Sequence, residues 1–114
     1  PGSPLPAPAL QVPDADGPVV EASPNYPNPF NPETWIPFAL NRAADVTITI
    51  YDARGAAVRT LELGSVEAGD YTARDSAARW DGRNAAGERA ASGAYVYEIR
   101  AGAETVTRKM LLAK

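Results

Sequence analysis

The chain has 114 residues, no Cys, no His, and 11 basic against 14 acidic side chains, a net charge of -3. That is one domain's length, with no disulfide, thiol nucleophile, imidazole base or usual zinc ligand. The charge is too balanced for a surface that neutralises many phosphates, and no apolar run approaches the ~20 residues of a membrane helix.

Of the apolar residues, 22 are Ala. The core must therefore come from Val, Ile, Leu and the few aromatics. All 11 prolines lie between Pro1 and Pro37, and the first 24 residues carry Asp14, Asp16 and Glu21 but no basic group. Residues 1–24 read as a Pro-rich linker, with Pro1-Gly2-Ser3 a cloning remnant. Pro4, Pro6 and Pro8 favour extended polyproline geometry, and no apolar periodicity asks for burial. A docked first strand or a ligand for a Pro-binding groove is the alternative for this stretch. Residues 25–114 read as the folded domain, and the whole as a piece of a longer protein.

From Thr34 the pattern has period two. Ile36, Phe38 and Leu40 share one face of a strand that Pro37 should confine to an edge or a bulge. Val46, Ile48 and Ile50 share a face of the next. Asp52-Ala53-Arg54-Gly55 is a turn signal, so residues 45–63 form a hairpin with Val58, Leu61 and Leu63 in the return strand. Tyr71 opens a short extended segment. Trp80-Asp81-Gly82-Arg83-Asn84 through Gly87-Glu88 is a polar loop. Tyr95, Tyr97 and Ile99 line one face of a further strand. Glu104 to Leu112 makes the last, with Val106, Met110 and Leu112 inward. No window has the apolar stripe of a helix. Six to seven short strands at this spacing predict an all-β antiparallel sandwich, with Trp35 or Phe38, Trp80, Tyr95 and Tyr97 as its largest core residues.

Little here can run a reaction. Ser65, Ser76 and Ser92 have no His, and the only lysines are Lys109 and Lys114. The carboxylates are scattered through turns. We therefore read no enzyme and no cofactor. Calcium, which needs only oxygen ligands, is the one ion left open, with Asp70, Asp75 and Asp81 as weak candidates. Arg83 stands where an EF-hand loop needs an oxygen ligand, so we read Asp81 and Asn84 as holding the turn through backbone hydrogen bonds. Arg outnumbers Lys nine to two, and Arg74, Arg79, Arg83 and Arg89 surround the Trp80 loop. Tyr51 and Tyr71 are the best candidates for exposed contact residues.

Two blocks are more specific. One is Tyr26-Pro27-Asn28-Pro29-Phe30-Asn31-Pro32, followed by Thr34-Trp35-Ile36-Pro37-Phe38. The other is Ser92-Gly93-Ala94-Tyr95-Val96-Tyr97, followed by Thr107-Arg108-Lys109-Met110-Leu111-Leu112-Ala113-Lys114. With the Val46–Val58 hairpin they resemble the C-terminal sorting domains of the type IX secretion system. The Trp80-Asp81-Gly82-Arg83-Asn84 block is similar to the immunoglobulin-like domain of the flagellar hook-capping protein FlgD. The resemblance spans about residues 24–114. It implies an immunoglobulin-like sandwich of about seven strands that is secreted or held at the outer cell surface. Its partners would be secretion machinery or a cell-surface protein, and an upstream cargo domain cleaved off before Asn25. It implies a sorting motif at Pro27, Asn28, Pro29, Gly93, Tyr95, Arg108, Lys109 and Lys114, without nucleic acid or membrane insertion. The alternative it leaves is a hook-cap-like assembly, adhesive or carbohydrate-binding module.

On physical grounds the prolines should hold the opening segment extended. Asn28 and Asn31 should cap local turns, and Gly93 should let the chain turn tightly into the Tyr95 strand. The basic residues should keep the last strand solvated.

Overall fold

A computed structural model describes residues 17–113. The residues read as a cloning remnant, most of those read as a Pro-rich linker, and Lys114 lie outside the described residues. Within them the chain is all-β, with no helix.

The longest strands build one sheet. β4 (Ala44–Asp52) and β5 (Ala57–Val66) form the expected hairpin, and β8 (Gly93–Ala101) and β9 (Glu104–Leu112) form a second. The order is β5-β4-β8-β9, antiparallel throughout. Alternation sets which face is buried. Val46, Ile48 and Ile50 on β4 stand beside Tyr97, Ile99 and Ala101 on β8, and all six are fully buried.

The facing layer is assembled from short pieces. Thr34–Leu40 forms not one edge strand but two segments, β2 (Thr34–Ile36) and β3 (Phe38–Leu40), and they occupy the middle of the layer. On one side β1 (Val20–Ala22) pairs with β3, and Tyr26 bridges Trp35. On the other side β6 (Gly69–Tyr71) pairs with β3, and β7 (Ala78–Trp80) with β2. Both flanks are interrupted at the level of Pro37. Its missing N–H is tolerated there because no continuous ladder runs past it. Ile36, Phe38 and Leu40 still share the inner face, as expected, because the break preserves parity. Nine segments thus make three lanes packed on four, which keeps the sandwich of about seven strands.

β1 falls within the stretch read as a tether. Val20 is buried, and the Val19 N–H donates to Glu104 Oε1 at 2.7 Å. The docked-strand alternative therefore holds for these residues, and the folded unit starts before Asn25.

The sandwich has two poles. Val19, Leu40, Ala44, Val66, Ala101 and Glu104 lie at one. Phe30, Asp52, the Trp80 loop, Gly93 and Leu112 lie at the other. Nine-residue strands separate the poles by about 30 Å, at ~3.3 Å per residue.

Trp80 fills the core at the second pole. It is fully buried, with the Phe30 ring 5.6 Å and the Tyr95 ring 5.5 Å away. Its Nε1–H donates to the Arg83 carbonyl at 2.9 Å, which satisfies the one polar atom the ring carries inside. Tyr97, Ile99 and Met110 continue the core below. Trp35 lies on the outer face, half-buried under the Arg74 guanidinium at 4.3 Å. Trp80→Ala should cost about 3–5 kcal/mol in urea denaturation. Trp35→Ala should cost only about 1 kcal/mol, the scale of an exposed cation–π contact. A larger loss at Trp35 than at Trp80 would contradict the layering.

Candidate functional site

The two sorting-motif blocks, more than 50 residues apart in sequence, meet at the second pole. The Asn28 Oδ1 accepts the Leu111 N–H at 3.0 Å. The Phe30 N–H donates to the Leu111 carbonyl, and the Ala113 N–H donates to the Phe30 carbonyl, both at 2.9 Å. Phe30 and Leu112 thereby form a parallel bridge. On its other side Leu112 pairs with Gly93, and Met110 with Tyr95. The end of β9 is held from both edges.

This geometry changes the roles expected of several residues. The opening segment is not extended: Pro27–Pro32 runs through bends, which turn the Phe30 side chain into the core beside Trp80. Burying that ring outweighs the preference of its proline-rich neighbours for extended backbone. Asn28 does not cap a local turn but holds a strand 83 residues away. Asn31 is exposed. Pro27 and Pro29 are exposed at the surface, where the Pro27 carbonyl accepts from Thr34 Oγ1 at 3.0 Å. Gly93 opens β8 with φ +145°, a backbone that side-chain-bearing residues rarely adopt.

Arg108 and Lys109 part ways. Arg108 has the parity of Val106 and Met110, so it faces inward at the open edge of the sheet, opposite Tyr97. It is half-buried and does not serve to solvate the strand. Burial pushes the Tyr97 hydroxyl pKa up, and the Arg108 charge and hydrogen bond pull the other way. Lys109 faces solvent as expected. Tyr95 is buried, and its hydroxyl donates to the Ala91 carbonyl at 2.5 Å. Burial, then the Asp52 charge, raises its pKa.

The Trp80 loop docks onto the same pole. Asp81 Oδ1 accepts the Arg83 N–H at 3.0 Å, and Asn84 Oδ1 accepts the N–H groups of Ala86 and Glu88. These are the turn-holding bonds expected of them. Asp81 also receives Arg59 Nη1 at 2.9 Å, and that guanidinium reaches the Arg83 carbonyl at 3.1 Å. Gly82, at φ +78°, passes so close to the opening segment that a Cβ would lie 2.3 Å from the Pro32 carbonyl oxygen. The loop and the proline-rich segment therefore lock together at Gly82.

The calcium candidates do not converge. Asp70 lies in β6 and Asp75 in the turn after it, while Asp81 is engaged by Arg59. Among the described residues no three acidic groups are placed to hold an ion. Nor do the four arginines form one surface. Arg74 covers Trp35, Arg79 Nε donates to Glu33 at 2.5 Å, and Arg83 Nη1 donates to the Gly87 carbonyl at 2.8 Å. Tyr51 and Tyr71 are half-buried rather than free contact residues. Tyr71 stacks on Phe38 at 5.1 Å, and its hydroxyl donates to the Glu67 carbonyl.

Sequence reasoning missed three members of this pole. Phe30 was available as the one large apolar residue of the Pro/Asn run. Gly82 was visible only as a turn residue, without the Pro32 contact that constrains it. Arg59 carries no local signal at all. A buried polar pair was also missed: Asn25 Nδ2 donates to Thr34 Oγ1 at 3.0 Å, pinning the opening segment to β2.

Two predictions follow from the loop. Gly82→Ala combines a left-handed backbone with a backbone clash, and should lower stability by about 2–4 kcal/mol. Gly87→Ala, with open space around it, should cost only about 1–2 kcal/mol for its backbone. Equal losses in urea denaturation would show that the Pro32 contact is not a constraint.

The second concerns pH. Burial pushes the Asp81 carboxyl up, but the Arg83 amide together with Arg59 and Arg79 outweighs it and holds the group below its ordinary value. The Ala56 amide leads in holding Asp52 low, against opposing desolvation, with the Arg54 amide and charge and the Gly55 amide adding to it. Folded pKa values below the unfolded ones make this stability complete above about pH 4 and lost as pH falls through the folded values. With no His to titrate, the melting temperature should be flat from about pH 6 to about pH 8, then fall below about pH 4. Asp81→Asn should lower it at neutral pH and flatten the acid limb. An unchanged acid limb would exclude Asp81 from it.

Solved structures with the same fold include dimeric latent PorU from Porphyromonas gingivalis, at 19% identity and TM-score 0.59 over 82% of this chain and 9% of that one. PorZ of the same organism, described as an essential bacterial surface component of the type IX secretion system, matches at 21% identity and TM-score 0.53, over 93% of this chain and 13% of that one. FlgD from Xanthomonas campestris, associated with hook capping in flagellar assembly, matches at 24% identity and TM-score 0.56, over 82% and 64%. The chain thus spans a small fraction of PorU and PorZ, and somewhat under two thirds of FlgD. No curated protein matches its sequence. At these identities the structures show the fold alone. The sequence goes further, because residues 31–105, well over half the chain and including the whole Trp80 loop, match the FlgD Ig-like domain model: the chain belongs to the FlgD Ig-like domain family.

Proposed function

We propose that this chain is the non-catalytic C-terminal module of a larger secreted protein, and that it serves as a type IX secretion sorting or surface-attachment signal. The observation that carries the reading is the convergence at the second pole. Asn28 through its side-chain oxygen and Phe30 through its backbone hold the last strand, while Gly93 and Tyr95 hold it from the other edge. An address built this way exists only once the domain has folded, since its parts are remote in sequence. The chain enters at the opposite pole, beside Val19 and Glu104, so upstream cargo would leave the address exposed. The fold shared with PorZ, a surface component of that secretion system, supports the same assignment. On this reading the module needs no bound ion, and its rigidity comes from the clamps at its poles.

The family match supports a second reading, an assembly module of the hook-cap kind. Export separates the two. A fluorescent reporter fused ahead of residues 4–114 should reach the surface of a type IX-competent cell. Asn28→Ala, which removes the side-chain bond to Leu111, should reduce surface arrival more than it reduces the melting temperature of the purified domain. Periplasmic retention of a folded wild-type fusion would falsify the sorting role and leave the assembly reading.

A further inference from the structure

We propose that the pole carrying the Trp80 loop also holds a peptide groove, and that its occupant is an extended, small-side-chain segment of a partner protein bearing carboxylates. Two adjoining hollows, of about 450 and 220 Å³, share Asp52, Ala91 and Tyr95 as their common lining. Together they form one groove, running from Arg89 past Asp52 to Arg54 and Gly93. The Ala85 N–H donates to the Val58 carbonyl at 3.1 Å and fixes the loop as one wall against β5. Much of the lining is alanine: Ala57, Ala85, Ala90 and Ala91. The smaller hollow adds Ala53 and Ala94, and such a lining suits a backbone carrying small groups.

The charges decide the occupant. The Arg89 guanidinium lines the larger hollow and has no hydrogen-bond or ion-pair partner among the described residues. The Arg54 side chain lines the smaller hollow and is 90% exposed, with only a 4.0 Å contact to Asp52. Asp52, between them, is already committed to the amides of Arg54 and Ala56. Arg83, the other arginine of the loop, is held by the Gly87 carbonyl. The groove therefore offers a planar cation at each end, with the Asp52 carboxylate as the one anion of its lining between them. Arginine's donor fork matches carboxylates in that role. Gly93 and Tyr95 line this groove and also hold the end of β9, so the two proposals are separated by variants at Arg89 and Ala91, which take no part in the proposed address.

The test is fluorescence anisotropy of the full 114-residue chain with a labelled peptide of alternating alanine and aspartate, against the same peptide with asparagine for aspartate. The aspartate peptide should bind saturably and the asparagine peptide should not. Arg89→Glu should weaken binding about tenfold, the scale of a charge reversed at a partly exposed pair. Ala91→Trp, which fills the groove without changing charge, should abolish it at an unchanged melting temperature. Arg100→Glu, on β8 and outside the groove lining, is the control. Absence of binding, or an equal loss with Arg100→Glu and none with Ala91→Trp, would overturn the groove. A chain that exports a reporter but binds no acidic peptide loses this proposal alone.

Discussion

The Trp80 indole needs an acceptor inside a core that is otherwise apolar, and the Arg83 carbonyl supplies it only if the chain turns sharply at Gly82. That turn places Asp81 for Arg59 and brings the loop against Pro32. Pro32 lies two residues past Phe30, whose ring covers the indole from the other side. Phe30 in turn bonds the end of β9. One hydrogen bond and one ring contact thus organise four segments that are distant in sequence. A domain of this size has a narrow stability margin, so it can hold this pole closed only because the contacts are mutually dependent.

The two layers are built by different means. The four-stranded sheet rests on long, regular ladders and the packing of β-branched and aromatic rows. The facing layer has no strand longer than three residues. Its order comes from side chains: Asn25 with Thr34 at one turn, Tyr71 on Phe38 at another, and the Tyr26 hydroxyl on the Thr72 carbonyl. Pro37 sits where a continuous ladder would otherwise run, and the layer is arranged around that gap. Side-chain bonds fill in for missing backbone pairs, although the buried Asn25 Oδ1 is left without a partner among the described residues.

The sheet was legible because its information is local. The alternation at Val46, Ile48 and Ile50, and at Tyr95, Tyr97 and Ile99, names both strands and their inner faces, and the Asp52–Gly55 turn joins the first to its neighbour. The inward position of Arg108 was missed, although it follows from the parity that puts Met110 inside. The facing layer was not legible, because three-residue strands are shorter than any period they could display. The candidate site was legible as a set of residues but not as an arrangement. The two motif blocks stand out in the sequence, yet nothing local tells Phe30 to pair with Leu112, or Arg59 to reach Asp81. Those contacts depend on how the layers stack.

The polar separation of Val19 from Leu112 has a mechanical consequence. Tension applied through the preceding chain reaches the fold first at β1, which has only three residue pairs with β3, whereas β9 is backed by nine pairs to β8. Load along the axis would pull β1 in shear and peel Val20 out of the core before the larger sheet yields. The module would then lengthen by a few residues under strain before the nine pairs of β8 and β9 are loaded.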